Sequence, residues 1–300
     1  VRASDPIFIL AGDQRWQWEE WCDAQHVDRS RIADVKALIV DAFFAARDRS
    51  PAVAQSGALL LDPQYSTPQI ARALAGGVQV GTPVERAGSF PLEWAESDPF
   101  AARPPGSFVK VLIKDRTDYA DALRAGQFEK LLALQAWCRS FGAPLLVEIL
   151  VPREGEREVE FEERQRPAML AQSIHDAYAR GLEPDYWKIE GTPSEAGAAL
   201  VEAVIAERGG RQIILGKGAE RALIARWFAA AASSATLSGF AIGRSVFWKP
   251  GTAFLSGTLT AERAVDEMAS NYIALVDAYA DAVGPGKAGP HVPQSTRYRM

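Results

Sequence analysis

Cysteine and histidine are both scarce: two cysteines, Cys22 and Cys138, and three histidines, His26, His175 and His291, stand in 300 residues. Two thiols cannot build a disulfide framework, and no spacing among these residues resembles a zinc site, so free thiols and no bound metal are expected. Long apolar runs are missing too. No segment approaches the ~18 to 20 apolar residues of a membrane span, and the opening VRASDPIFIL lacks a long apolar run ending in a small-residue cleavage site. A soluble, cytoplasmic chain with no membrane partner is the expectation. Nor is there an excess of cationic charge: 33 Lys and Arg against 38 Asp and Glu leave a formal charge of −5. Nucleic-acid affinity needs clustered Lys and Arg, so no nucleic-acid partner is expected and any anion site must be local.

What the chain does have is a regular alternation. With 48% hydrophobic residues it can bury a sizeable core, as one α/β barrel or as two ordinary domains. Eight short apolar runs favour the first: PIFILAGD (6–13), GALLLDP (57–63), GVQVGTP (77–83), FVKVLIKD (108–115), PLLVEIL (144–150), YWKIEG (186–191), QIILGKG (212–218) and GFAIGRSVF (239–247). Helical stretches separate most of them, such as 118–142 and 194–210, the latter opened by Ser194 and closed by glycine. Strand–helix units repeated without an obvious linker predict a single (β/α)8 TIM barrel over residues 1–283. No strand runs into the Gly-rich fingerprint of a doubly wound dinucleotide fold. Residues 84–107, rich in Pro, Gly and Ser, predict a long loop over the barrel mouth, and residues 284–300 a C-terminal tail of linker composition.

Charged residues inside barrel strands are informative, because both faces of such strands are normally covered. Period-two alternation puts Lys110, Leu112 and Lys114 on one face, Leu146 and Glu148 on another, and Tyr186, Lys188 and Glu190 on a third. If these faces point inward, several ionisable groups meet in one cavity. A free lysine titrates near ~10.4, so a nucleophilic one needs burial or neighbouring cations, which Lys110 and Lys114 could supply to Lys188. Glu148, one strand away, would then move protons. A buried Lys–Glu ion pair that only holds the barrel together accounts for the same residues equally well.

Further polar residues fall at strand ends. GDQR places Asp13, Gln14 and Arg15 at the mouth, and LDPQYS places Asp62 there, where it could bind substrate hydroxyls or simply cap a helix. After the last two strands, LGKGAE and IGRSVF combine Gly216, Lys217, Gly218, Gly243 and Arg244, a set suited to phosphate where barrels often bind it, although ordinary tight turns read the same way. Trp16, Trp18 and Trp21 are expected to pack a helix on the barrel, with Trp16 near enough to line a pocket. The histidines receive no role.

Taken together, PDYWKIEG, DQRWQWEEW, VERAGSFPLEW, PLLVEIL and GFAIGRSVFWKP resemble the aldolase-like domain that many bacteria fuse behind a sugar kinase, in bifunctional 5-dehydro-2-deoxygluconokinase and 5-dehydro-2-deoxyphosphogluconate aldolase of inositol breakdown. The resemblance runs from about residue 6 to 283. More distantly, GDQR, LLLDPQY, VEIL and WKIE resemble the class I tagatose-1,6-bisphosphate aldolases, a wider group that includes sulfofructose-phosphate aldolase. The resemblance implies a metal-independent class I aldolase that needs no cofactor and acts on a small-molecule sugar phosphate, 5-dehydro-2-deoxygluconate 6-phosphate or a relative, with dihydroxyacetone phosphate as one product. It implies Lys188 as the Schiff-base lysine, Glu148 as the proton-transfer residue and Lys110 with Gln14 as assisting groups. Asp13, Arg15, Asp62, Glu85 and Lys114 complete the substrate-binding set. A transaldolase of the same group and a non-catalytic sugar-phosphate-binding barrel are the alternatives, and homo-oligomerisation is left open. The chain reads Gln14 where the kinase-fused domain has histidine, and KVLIKDRTD where relatives carry tyrosines and a His-Pro, which leaves substrate identity open.

Overall fold

A computed structural model describes residues 6–102 and 105–284. All eight apolar runs contain strands: β1 (Ile7–Gly12), β2 (Gly57–Leu61), β3 (Gln79–Pro83), β4 (Phe108–Lys114), β5 (Leu145–Leu150), β6 (Tyr186–Glu190), β7 (Gln212–Leu215) and β8 (Leu237–Ile242). They pair in parallel, in sequence order, and β8 returns to β1 with Ile7 opposite Gly239, closing a (β/α)8 barrel. The predicted fold class is the observed one.

Alternation sets the two sides of the wall. On β4, Val109, Val111 and Ile113 face outward into a cluster with Phe128, Leu131 and Leu134 of the helix Asp121–Ser140. The intervening Lys110, Leu112 and Lys114 face inward and line the barrel's cavity. Below them, Ile9, Ala11, Ala58, Leu60, Phe108, Leu146, Ile213 and Ala241 fill the interior, so the barrel has an apolar floor and a charged upper layer. Outside β1 and β8, Phe8 packs on Phe240 and Tyr279 at centroid separations of 5.2 and 5.3 Å. Truncating such a buried aromatic costs about 3–5 kcal/mol, which makes the aromatic cluster a main anchor of the long helix Ala261–Val283.

Helix starts follow the expected chemistry where the sequence offers a cap. Ser194 accepts from the Gly197 amide to open Glu195–Ala206, and Asp62 accepts from the Tyr65 amide to open Pro63–Ala75. Two boundaries differ from the sequence reading. The final run splits, with β8 ending at Ile242 and a helix beginning at Arg244, because the backbone at Gly243 passes so close to β1 that a Cβ there would lie 1.9 Å from the Ala11 carbonyl oxygen. After β7 the chain turns at Lys217 and Gly218, both with positive φ, so the strand stops at Leu215. Between β3 and β4 the described residues form a loop rather than a helix, fastened by a bridge between Glu85 and Trp94.

Cys22 and Cys138 are free and buried, and burial pushes the Cys138 thiol up to about 12. No helix among the described residues is long and apolar enough to cross a membrane. Residues 285–300, most of the expected tail and His291 with it, lie outside the described residues.

Candidate active site

The charged upper layer is organised around two lysines. Glu148 of β5 stands beside Lys188 of β6 in the strand register, and its Oε2 lies 2.9 Å from Lys188 Nζ and 3.0 Å from Lys110 Nζ. Lys110 Nζ also lies 3.1 Å from Asp13 Oδ2 and 2.8 Å from Glu85 Oε1. All five groups are buried. Lys110 therefore has three carboxylates and Lys188 one, among the described residues.

That asymmetry decides what each group can do. Burial opposes charge on Lys110, but Glu148, Glu85 and Asp13 together outweigh it and hold the ammonium above the ordinary lysine range. Lys110 is a fixed cation. Burial alone would raise the Glu148 carboxyl, yet Lys110 and then Lys188 bring it below its usual range against a smaller opposing effect of Asp13. Asp13 is depressed in the same way, burial being outweighed by Lys110, Lys188 and Arg15. Both carboxylates are thus ionised, and they are weak bases for as long as both lysines keep their charge.

Above this cage opens a cavity of about 610 Å³, lined by Asp13, Gln14, Arg15, Glu85, Lys110, Lys114, Glu148 and Lys188, and on its far side by Gly216, Lys217, Gly218, Gly243 and Arg244. Several polar atoms on its wall have no protein partner, among them Asp13 Oδ1, Gln14 Oε1 and Glu85 Oε2. Arg15 reaches the Glu85 carbonyl at 3.1 Å and so links the first loop to the third.

The corner between β7 and β8 is cationic. Arg244 begins a 12-residue helix whose N-cap, Gly243, offers no side-chain cap, and the guanidinium has no carboxylate within ion-pair distance among the described residues. Burial draws its pKa below the ordinary arginine value, with Glu148 and Asp13 acting in the opposite sense, and an arginine stays charged at neutral pH regardless. The tight glycines allow this approach: at Gly216 a Cβ would come within 2.8 Å of Ile242, and Gly218 packs beside the Arg244 side chain. Lys217 is the weaker cation, since its Nζ lies 2.5 Å from Glu190 Oε1.

Of the candidate catalytic, substrate-binding and phosphate-binding residues, Asp62 alone is not brought to the cavity, and Glu190, on the Lys188 face of β6, is held instead by Lys217 and the Val151 amide. Fully buried at the end of β2, Asp62 caps the helix Pro63–Ala75 and forms an ion pair with Lys36 at 2.6 Å, because an unpaired buried carboxylate would be costly and Lys36 is the cation within reach. Trp18 packs in the core, while Trp16 is 41% exposed and lines the cavity as expected. Arg86, Ala87, Gly88 and Ser89 of the third loop also border the cavity; they stand within VERAGSFPLEW, but the sequence alone assigns them no site role. Lys36 itself escaped the sequence reading, although a lysine amid IADVKALIVDAFFAA, on an apolar helix face, was a signal that could have found it. Among the described residues no group of three His, Cys, Asp or Glu is arranged to hold a metal ion.

A family model described as "Uncharacterized protein conserved in bacteria (DUF2090)" matches residues 1–283. No curated protein is significantly similar in sequence. Among solved structures the chain is similar to a fructose-bisphosphate aldolase from Plasmodium falciparum, determined in complex with TRAP and a small-molecule inhibitor. The TM-score is 0.68 at 11% identity, over 96% of this chain and 93% of that one. At such identity the likeness is one of fold, the (β/α)8 barrel.

Proposed function

The chain belongs to the DUF2090 family, and from that premise and the lysine cage we propose that it is a class I aldolase in which Lys188 forms a Schiff base with a ketose phosphate. The observation that carries this reading is the contrast between the two buried amines: Lys110 is saturated by three carboxylates, whereas Lys188 faces the cavity with Glu148 as its one ion-pair partner among the described residues.

In the proposed reaction Lys188 Nζ, having passed a proton to Glu148, attacks the ketone carbon to give a carbinolamine. Loss of the ammonium removes one of the two cations that depress Glu148, so its proton affinity rises as it receives the proton. Glu148 then returns that proton to the departing hydroxyl, water leaves, and the positive iminium restores the original charge pattern. The adjacent C–C bond breaks with its electron pair moving into the iminium, while Asp13 or Glu148 takes the proton of the hydroxyl that becomes an aldehyde. Reprotonation at carbon and hydrolysis free the ketone product and the amine. The protonated imine is the electron sink, so the scheme calls for no metal; turnover is expected to survive extensive EDTA treatment, and a loss restored by a divalent ion would sink it.

The cavity also supports a substrate charged at both ends. Arg244, after β8, and Lys114, on β4, lie four strands apart in an eight-stranded barrel, on opposite sides of the mouth, with Lys188 on β6 between them. Neither has a carboxylate partner among the described residues. A phosphate on Arg244 and the helix N-terminus, with an acidic group near Lys114, fits 5-dehydro-2-deoxygluconate 6-phosphate or a related sugar acid phosphate, and hydroxyl groups between them would meet the unpartnered oxygens of Asp13, Gln14 and Glu85.

Borohydride reduction with dihydroxyacetone phosphate, followed by peptide mapping, tests the Schiff base, and cleavage assays with and without an acceptor aldehyde separate aldolase from transaldolase. The phosphate corner has its own test. Arg244→Ala is expected to lose ~2 kcal/mol of binding, about a thirtyfold rise in Kd for dihydroxyacetone phosphate. Calorimetry against unphosphorylated dihydroxyacetone checks it: equal binding of both ligands to wild type, or no loss in the variant, would remove the phosphate from Arg244.

A further inference from the structure

Lys36 lies in the helix Ile32–Arg49 with none of its side chain exposed. Its Nζ donates to the Gly12 carbonyl oxygen and to the Gln14 carbonyl oxygen at 2.7 Å, and it lies 2.6 Å from Asp62 Oδ2 as an ion pair. Two of the ammonium's three N–H donors are thus committed to loop carbonyls, and the Asp62 carboxylate balances its charge. Those two acceptors are the carbonyls of the residues on either side of Asp13.

We propose that Lys36 is a positioning residue that clamps the β1 loop, fixing the Gly12–Asp13 and Gln14–Arg15 peptide units and so aiming Asp13 and Arg15 into the lysine cage. The inference rests on the proposed aldolase reading for its catalytic consequence, though not for the clamp itself. A buried ion pair is a poor way to gain stability, since well-packed apolar residues of similar volume often serve as well or better. What apolar residues cannot do is hold two carbonyls at fixed places. The consequence spreads along the loop: Asp13 Oδ2 contacts Lys110, Arg15 holds the Glu85 carbonyl, and Glu85 is the second carboxylate on Lys110. Two of the three groups that keep Lys110 charged therefore depend on the loop that Lys36 pins. Asp62, expected from sequence to touch substrate, acts one step back, as the counter-ion of the clamp.

Two variants separate the clamp from the ion pair. Asp62→Asn removes the counter-ion but leaves Lys36 its two loop carbonyls, and an Asn keeps the helix cap toward the Tyr65 amide. Lys36→Met with Asp62→Asn removes the clamp while filling the space of the stem. In the double variant kcat is expected to fall about tenfold or more with KM far less affected, because loose catalytic geometry costs the chemical step. Amide exchange across residues 12–17 should accelerate in it alone, with melting close to wild type. Asp62→Asn should retain most of kcat. If the double variant fails to fold, Lys36→Arg replaces it, because a guanidinium keeps the charge but cannot seat its donors in the space of an ammonium.

Equal losses of kcat in Asp62→Asn and in the double variant, or unchanged kcat and exchange in the double variant or in Lys36→Arg, would overturn the clamp. If wild type itself gives no borohydride adduct and no cleavage, the aldolase reading falls. The clamp is then judged on exchange across residues 12–17 alone, and unchanged exchange overturns it.

Discussion

Lys188→Arg should give a folded barrel from which borohydride reduction with dihydroxyacetone phosphate recovers no adduct, and whose turnover is lower by about 10³-fold or more, as for the loss of other essential nucleophiles. Wild type, treated in the same way, should carry the added mass on the peptide that contains Lys188. The substitution is chosen for what it keeps. A guanidinium still offers a positive charge to Glu148, which lies 2.9 Å from Lys188 Nζ and 3.0 Å from Lys110 Nζ, so the buried carboxylate keeps two cationic neighbours and the charge balance of the cage is preserved. What disappears is an amine able to lose its proton and attack carbon. Lys110 cannot substitute, since three carboxylates hold it as a cation. An adduct that mapped to Lys110 or Lys114 would defeat the assignment, and a variant that trapped as well as wild type would defeat Schiff-base chemistry at this position altogether.

Much of this arrangement was legible before any coordinates. Alternation along FVKVLIKD fixes which side chains enter the barrel, because a residue's neighbours two positions away share its face and the outer face must be apolar to receive helices. Hence Lys110, Lys114, Glu148 and Lys188 could be read as inward without knowing any distance. Which lysine is the saturated one could not be read, as it depends on Asp13 and Glu85 arriving from two loops whose paths are set by tertiary contacts such as Arg15 to the Glu85 carbonyl. Asp62 shows the same limit. It has the parity of the inward residues Ala58 and Leu60, yet the chain leaves the strand at Pro63 and the carboxylate turns to Lys36, a partner that no local pattern announces. Arg244 was legible as a cation beside glycines, but its place in the first turn of a helix follows from how closely Gly243 passes Ala11, a contact between the two ends of the barrel wall.

Glu148→Gln should cut turnover by about 10²-fold or more while the protein melts as a single cooperative unit. The amide keeps the shape of the side chain and one carbonyl oxygen to accept from Lys188 and Lys110, so the contacts at 2.9 and 3.0 Å have a neutral substitute. It cannot take the proton that Lys188 must shed or return one to the departing hydroxyl, so the steps that form the iminium slow together. Lys110 would still have Asp13 and Glu85, whereas Lys188 would lose its one carboxylate partner among the described residues, so some stability is also expected to go. The two effects are separable by measuring kcat and the melting transition on the same preparation. A large fall in kcat with a modest shift in melting is the outcome of a proton shuttle. Near-normal turnover with a large loss of stability would make Glu148 the counter-ion of a structural pair, and the proton would then have to pass through Asp13, the remaining ionised carboxylate that both cage lysines act upon.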